Sequence, residues 1–453
     1  MGNLFGALVG ATGTLRAFTT GLNAVQTNIS NVNTPGYAKQ TQSFQAMPFD
    51  IGSGLPGGVR VGDLANSRNE FAEKAVRRQQ SALGYAESRG NSLAVLEPVF
   101  TLSENSGVQA AINRLYTSFS QLSVSPNSAP ARQNVLSRAT EVASQIQHTA
   151  HQLSTSNSET DRQVSQAVQQ INTVLERIQT YNRELRSNAA GQEDPGIDAN
   201  MHAAFEELSG LVSFDILKHD DGSVDLLLGG QTPVLVGDRL YPISAETNNL
   251  GAIVRDAQGH DITATLTKGE LGAILEVRNV TVPGYQADLD RLASTLADRI
   301  NGILAGGLDL NGNSPIANLF TYDPSQGAAS TLALNNLSTD DLAAASSTAP
   351  GGNGNALELA KLANSKEIDG FTLIEFYGSI GGRLGRDIAT AREGADTMTA
   401  LVSQAKTFRE EVSGVSLDEE AAKLLQFQRS YEAAARLVKS LDEMTQSLIS
   451  ILS

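Results

Sequence analysis

The chain carries five histidines, the residues to test first for chemistry. Metal binding and general acid–base catalysis both use imidazole, and both need partner residues at set spacings. His148 and His151 stand one helical turn apart and could share a face. No HExxH pattern and no neighbouring carboxylate accompanies them, and the surrounding Gln, Ser and Thr read as a solvated helix. His219-Asp220-Asp221 runs into Gly222, the composition of a hairpin turn rather than of a ligand set. Asp309-Leu310-Asn311-Gly312-Asn313 imitates the opening of a calcium loop, but Ser314 stands where Gly belongs and Phe320 where a bidentate Glu belongs. A polar turn is the better reading. No GxxxxGK[ST] phosphate loop and no GxSxG nucleophile elbow occurs. With no cysteine in the chain, thiolate zinc, disulfide and cysteine-nucleophile chemistry are excluded as well. The expectation is no catalytic residue, no metal ligand and no cofactor.

Composition narrows the remaining classes. Among 453 residues, 33 are Lys or Arg and 49 are Asp or Glu, a net charge of -16. Phosphate backbones and anionic headgroups repel such a chain, so nucleic acid is excluded as the principal partner. A hydrophobic share of 40 % is enough to bury a core, while only 18 % charged residues leaves a surface rich in neutral polar side chains. No stretch approaches the ~20 apolar residues that span a bilayer, so no membrane insertion is expected. The opening MGNLFGALVGATGTLRAF lacks a basic segment ahead of its apolar one and is interrupted by Arg16, a poor cleavable secretion signal.

What remains is packing, and the elements that would carry it are legible. Leu4, Leu8, Ala11, Leu15, Phe18, Leu22, Val25, Ile29 and Val32 follow at alternating steps of four and three, the seam of a coiled coil. Between Met1 and Phe49 only Arg16 and Lys39 are charged. Gly2, Gly6, Gly10, Gly13 and Gly21 each cost ~1 kcal/mol in a helix interior. Gly2, Gly6 and Gly10 also form a ridge that another backbone can approach. The segment is expected to become helical when other chains surround it. It ends at NISNVNTPGYAKQ, where Pro35-Gly36 suits a type II turn. Pro48 to Gly58 reads as an extended connector.

Residues from about Asn66 to Ser187 read as helical, punctuated by Pro98, Pro126 and Pro130. Ser128 is placed to cap a helix of about 58 residues, ~90 Å long, so the molecule is expected to be elongated. Short strands are expected at 214–217, 224–227, 234–236, 252–254 and 262–266, separated by turn signals. Helix returns near Gly269, with a break at Pro283. Towards the end Ser416-Leu417-Asp418-Glu419 reads as a capping box. Leu424, Phe427, Tyr431, Ala434, Val438, Leu441, Thr445, Leu448 and Leu452 then form a second seam. The two terminal seams can pack together.

NISNVNTPGYAKQ and SGVSLDEEAAKLLQFQRSYEAAARLVKSLDEMTQSLI resemble the N- and C-terminal signatures of the axial proteins of the bacterial flagellum. LSVSPNSAPARQNVLSRATEVASQI, QQINTVLERIQTYNREL and TKGELGAILEVRNVTVPGYQADLDRLASTLADRIN resemble, in order, the hook-associated protein 1 family within that group. The resemblance implies a structural subunit at the distal end of the hook, exported unfolded without a cleaved signal and extracellular in the flagellum. It implies as partners further copies of the chain, the hook protein, the second junction protein and through it the filament. A cytoplasmic export chaperone would bind the C-terminal helix at about Leu424–Leu452. Where the family commonly has Asp-Arg-Asp, this chain has Asn200-Met201-His202, and its β insertion is too short for a third outer domain.

The expected fold is mainly α with an inserted small antiparallel β domain, built of discontinuous domains with the terminal helices paired as a coiled coil. The expected domains are a terminal assembly core of residues 1–65 and 408–453, a helical-bundle domain of 66–212 and 269–407, and an outward-facing β domain of 213–268. Expected assembly residues are Leu4, Leu8, Leu15, Phe18, Leu22, Val25, Ile29, Asn31, Pro35, Gly36, Tyr37, Leu424, Phe427, Tyr431, Val438, Leu441 and Leu448. The competing readings are another hook or hook-associated protein, a secreted coiled-coil translocator or adhesin, and a secreted enzyme. The enzyme reading lacks paired acid–base residues in the β insertion.

Overall fold

The computed structural model describes residues 2–50, 55–100, 106–187, 194–248 and 250–452. Helix α1 (Gly2–Ser30) leads into strands β1 (Gln40–Ala46), β2 (Phe49–Asp50), β3 (Leu55–Pro56) and β4 (Val59–Asn66). Helices α2 (Glu70–Ala94), α3 (Gly107–Val124), α4 (Ala129–Ser187) and α5 (Pro195–Leu211) follow. Then come β5 (Phe214–Lys218), β6 (Val224–Leu228), β7 (Thr232–Val236), β8 (Arg239–Leu240), β9 (Ser244–Asn248) and β10 (Gly251–Arg255). The chain closes with α6 (Gly269–Glu276), α7 (Val282–Ala305), the short α8 (Ala328–Thr331) and α9 (Gly354–Lys361), then α10 (Leu373–Ser413) and α11 (Leu417–Leu452). These pack into two compact units. The first comprises Met1–Leu83, Gln170–Pro242 and Thr397–Ser453, the second Gly84–Gln169 and Ile243–Asp396.

α4 is 59 residues long. Ser128 starts it with its hydroxyl 3.5 Å from the Ala131 amide, and its carbonyl accepts from Arg132. Val135, Ala139, Val142, Ile146 and Leu153 are buried along one stripe, and Ile171, Leu175, Ile178 and Leu185 continue it. Two polar residues of its middle, Ser156 and Thr160, are buried too. Ser156 and Thr160 donate their hydroxyls to the carbonyls of Gln152 and Ser156, so no buried donor goes unmet there.

In the second unit α3, α4, α7, α9 and α10 enclose one apolar core, with Phe100 5.5 Å from Tyr285 and 6.1 Å from Tyr377. Arg132 is wholly buried and donates to the carbonyls of Pro126, Thr339 and Leu342. It ties the loop-rich stretch before α9 to the start of α4.

Four local expectations change. Residues 51–54 of the Gly- and Pro-rich stretch from Pro48 to Gly58 lie outside the described residues, and the rest of it is not a bare connector. It belongs to a ribbon in which β1 pairs antiparallel with β4, with a bulge between Gln42 and Phe44, and β2 pairs with β3. Residues 262–266 are not a strand. Thr263–Thr265 form a 3₁₀ turn because the Asp261 carboxylate accepts from the Thr263 amide and the Thr265 hydroxyl folds back on the Ile262 carbonyl. The helix does not break at Pro283. Val277–Thr281 form a π turn directly before it, and Pro283 sits in the first turn of α7 where its missing N–H is tolerated. The capping box at Ser416 is half formed. Its hydroxyl lies 3.4 Å from the Glu419 amide, but the Glu419 carboxylate turns to Lys39 at 2.6 Å.

The β segment divides where the compact units do, after Pro242, rather than forming one block over 213–268. Strands β5 to β8 make an antiparallel meander in the first unit. Asn182 of α4 holds it, donating to Val224 and Gly237 carbonyls at 2.7 Å and accepting from the Val224 amide at 3.0 Å. The β9–β10 hairpin belongs to the second unit and docks on the π turn. Asn279 there accepts from the Ala252 amide at 2.7 Å and donates to its carbonyl at 2.8 Å. Buried Arg278 binds Asp161 at 2.7 Å and the Asn248 carbonyl at 2.8 Å. Each hairpin follows the helix that satisfies its backbone.

Candidate assembly interface

Within the first unit, α1 and α11 pack antiparallel. The Phe427 ring lies 6.4 Å from Phe18 and, edge-on, 5.8 Å from Phe44 of β1. The Phe427 and Phe44 rings close over Gly21, where a Cβ would meet both at 3.1 Å. A glycine there costs helix propensity and gains an aromatic contact that alanine would exclude. Gly10 is approached by the backbone of Gly58, whose own Cβ would stand 3.2 Å from the Gly10 carbonyl oxygen. At that point the glycine ridge serves the chain's own β ribbon.

The buried face of α1 runs through Ala17, Gly21, Val25 and Asn28. Of the expected seam residues, Val25 is buried, whereas Leu4, Leu8, Leu15, Phe18, Leu22 and Ile29 are half-buried. The face that α1 turns to the β ribbon and α11 is thus offset from the heptad line, and the seam leucines are left half covered. On α11, Leu424, Phe427, Val438 and Leu441 are half-buried, and Tyr431 and Leu448 are exposed. Leu437 and Met444 are also exposed, so α11 shows a second apolar stripe of Leu437, Met444 and Leu448 beside the one facing α1.

After α1 the chain turns as its residues direct. Asn31 donates to the Thr27 carbonyl, and its own side-chain oxygen accepts from the Thr34 hydroxyl at 3.1 Å. The Tyr37 amide closes a turn on the Thr34 carbonyl, with Gly36 at φ +75° and Pro35 exposed before it. That is the expected type II geometry. A Cβ on Gly36 would strike the Ala199 carbonyl of α5. The Tyr37 hydroxyl donates to the Asn28 side-chain oxygen at 2.9 Å, and burial, then the charge of Glu420, pushes its pKa up to about 12.

Beneath this turn lies a cluster of buried ions. Arg68, 3 % exposed, binds Glu73 at 2.5 Å, Asp198 at 2.5 Å and the Gly36 carbonyl at 2.7 Å. Arg409 of α10 binds Glu206 at 2.8 Å and stands 3.5 Å from Glu73, and Lys406 binds Glu206 at 2.6 Å. Lys218 of β5 pairs with Glu70 at 3.2 Å. A cavity of about 430 Å³ opens above, lined by the turn and by Glu73, Arg409, Ser413 and Gly414.

His202 of α5 is buried in the same cluster, 3.9 Å from Glu73 and 3.8 Å from Asp198, and its Nδ1 has no hydrogen-bond partner. Burial, and then the charges of Arg68, Arg77, Lys218 and Arg409, hold its pKa well below the ordinary histidine range. The neighbouring carboxylates are already committed to arginines, so a proton on the ring would be an unmatched buried charge. As pH falls below about 6.5 the unfolded chain takes up this proton and the folded one does not, so acid removes stability. His202→Gln should therefore flatten the fall in melting temperature between about pH 7 and 5. An unchanged slope would place the acid sensitivity on other groups.

The sequence marks Asn28 only as part of the NISNVNTPGYAKQ signature, and it does not mark Arg68, which donates to the Gly36 carbonyl, or Glu420, which accepts from Asn28. A signal existed for two. Asn28 interrupts an apolar face three residues after Val25, and Glu420 lies one turn before Leu424 on the second seam. The chemistry candidates resolve as turns and helix surface. His148 and His151 are exposed on α4. His219 precedes a tight turn at Gly222 and lies 3.0 Å from Asp225. The Asp309 carboxylate accepts from the Asn313 amide at 2.7 Å.

Comparison with known proteins sets this geometry in context. Residues 93–320 match the family model of the flagellar hook-associated protein FlgK helical domain, and residues 409–451 that of the flagellar basal body rod FlgEFG protein C-terminal region. Flagellar hook-associated protein 1 of Bacillus subtilis is 24 % identical over 99 % of this chain and 98 % of its own length. That of Escherichia coli K12 is 22 % identical over 96 % of this chain and 98 % of its own. The solved flagellar hook junction protein FlgK from Burkholderia pseudomallei superposes with a TM-score of 0.65 at 17 % identity, over 75 % of this chain and 100 % of that one.

Proposed function

The chain belongs to the flagellar hook-associated protein FlgK family, the hook–filament junction proteins of the bacterial flagellum, and on that premise we propose that it takes its place at the hook tip through its terminal helix pair. The family's role is structural. The observation that carries the reading is the α1–α11 pair, whose seam leucines are only half covered and whose second stripe of Leu437, Met444 and Leu448 stands open. Apolar surface of this kind, on a helix with a single charge at Arg16, is stabilised by further helices around it.

The contacts made at the tip are then side-by-side copies of this chain, the hook protein below, and the second junction protein with the filament above. Before assembly the same open stripe on α11 suits an export chaperone over about Leu424–Leu452. No chemical step is assigned to the chain. It is a flagellar component, and no helix among the described residues is long and apolar enough to cross a membrane. Its site of action is outside the cell.

The test is direct. Purified chain added to isolated hooks lacking junction proteins should decorate one tip of each hook in electron micrographs, and should allow the second junction protein and then filament to be added. Decoration along the hook shaft, or none, would refute the assignment of the terminal pair to tip seating.

A further inference from the structure

α1 and α11 meet at two contacts spaced by the same interval. Phe427 covers Gly21, and one heptad along α1 and one heptad back along α11, Glu420 meets Asn28. The first contact is apolar. An apolar seam repeating every three or four residues tolerates a slip of one turn, ~5.4 Å, because another hydrophobe arrives at each hole.

The second contact does not tolerate it. Asn28 is buried and uses its whole hydrogen-bonding capacity. Its oxygen accepts from the Tyr37 hydroxyl at 2.9 Å and the Gln40 amide at 2.8 Å, and its nitrogen donates to the Gln40 carbonyl at 2.8 Å and to Glu420 at 2.9 Å. Glu420 is fully buried, with Lys423 at 2.9 Å and Lys39 at 3.6 Å. A one-turn slip of α11 would bring Leu424 or Ser416 to Asn28 and move the Glu420 carboxylate away from both its amide donor and Lys39. Buried polar groups left without partners are among the larger penalties a fold can meet.

We propose that Asn28 and Glu420 are a register pin, a buried polar pair that selects one alignment of the terminal helices over its slipped neighbours. Because the Tyr37 hydroxyl hangs on the same Asn28 oxygen, the alignment of α11 and the position of the Pro35-Gly36 turn are one choice. The pin is a specificity device for assembly, since every copy then presents its exposed α11 stripe at the same height.

The chain has no cysteine, so introduced pairs report without background. One heptad on from the Phe18–Phe427 ring contact the same spacing brings Ala11 toward Ala434, and both are buried. Ala11→Cys with Ala434→Cys reads the native alignment, while Ala11→Cys with Ser430→Cys or Val438→Cys reads slips of one turn. In the full chain the native pair should cross-link about ten-fold better than either slipped pair. Adding Asn28→Leu and Glu420→Leu should lower that preference below about three-fold while helix content by circular dichroism is kept. Glu420→Gln, which keeps a side-chain oxygen for the Asn28 amide, should retain the native preference. A ten-fold preference surviving the double leucine change would assign the register to Phe427 and Gly21 and overturn the proposal. Loss of preference in Glu420→Gln, or no cross-link in the unsubstituted background, would overturn it as well.

Discussion

Leu22→Asp or Leu441→Asp should abolish incorporation at the hook tip while the second compact unit keeps its fold. Both leucines are half-buried, so in the free chain a carboxylate at either position can still reach water. Among neighbouring copies it could not. Desolvating one uncompensated carboxylate costs several kcal/mol, and a ring of copies would repeat that cost at every interface. The free chain tolerates the change and the assembly does not. Tip decoration by electron microscopy, with the melting of each variant as control, reads the difference. Normal decoration by either variant would mean that these seam positions face no neighbour.

The second large effect is within the first unit. Arg68→Met should destabilise it by about 3–5 kcal/mol, because Glu73, 4 % exposed, and Asp198 lose their principal cation while staying in place. The Gly36 carbonyl loses a donor at the same time. Arg68→Met with Glu73→Leu should recover much of the loss, since the remaining charges then come closer to balance. Denaturant unfolding of the two variants and the parent measures this. A loss below about 1 kcal/mol for the single change would show that water reaches the cluster.

How much of this was legible depends on what each residue had to announce. α4 was readable to within a residue or so because one stripe of Val, Ile and Leu repeats along it and Ser128-Ala129-Pro130 marks its start. Strands β5 to β7 of the meander were readable because Asp-Gly and Gly-Gly turns separate their apolar runs. The β1–β4 ribbon was not. QTQSFQA alternates weakly, and its pairing rests on a backbone partner about twenty residues away. The ion cluster was illegible for a plainer reason. Arg68, Glu73, Asp198, His202 and Arg409 come from three separate stretches, and a charged residue buried by tertiary packing looks, in sequence, like one facing water. Asn28 was noted as part of a signature, yet its task could be seen only with Glu420 beside it.

The tie between Asn28 and Glu420 also sets a timetable. These residues are 392 positions apart, and three separated stretches of chain make up the first unit. Contacts of such separation carry a large loop-closure entropy and a high contact order, both of which slow folding. During synthesis the opening helix must wait, without its partner, until residue 420 has been made. The second unit has all its segments by Asp396 and can fold beforehand. The terminal helix pair is therefore the last part to close, and a chain held before that closure keeps both its ends free.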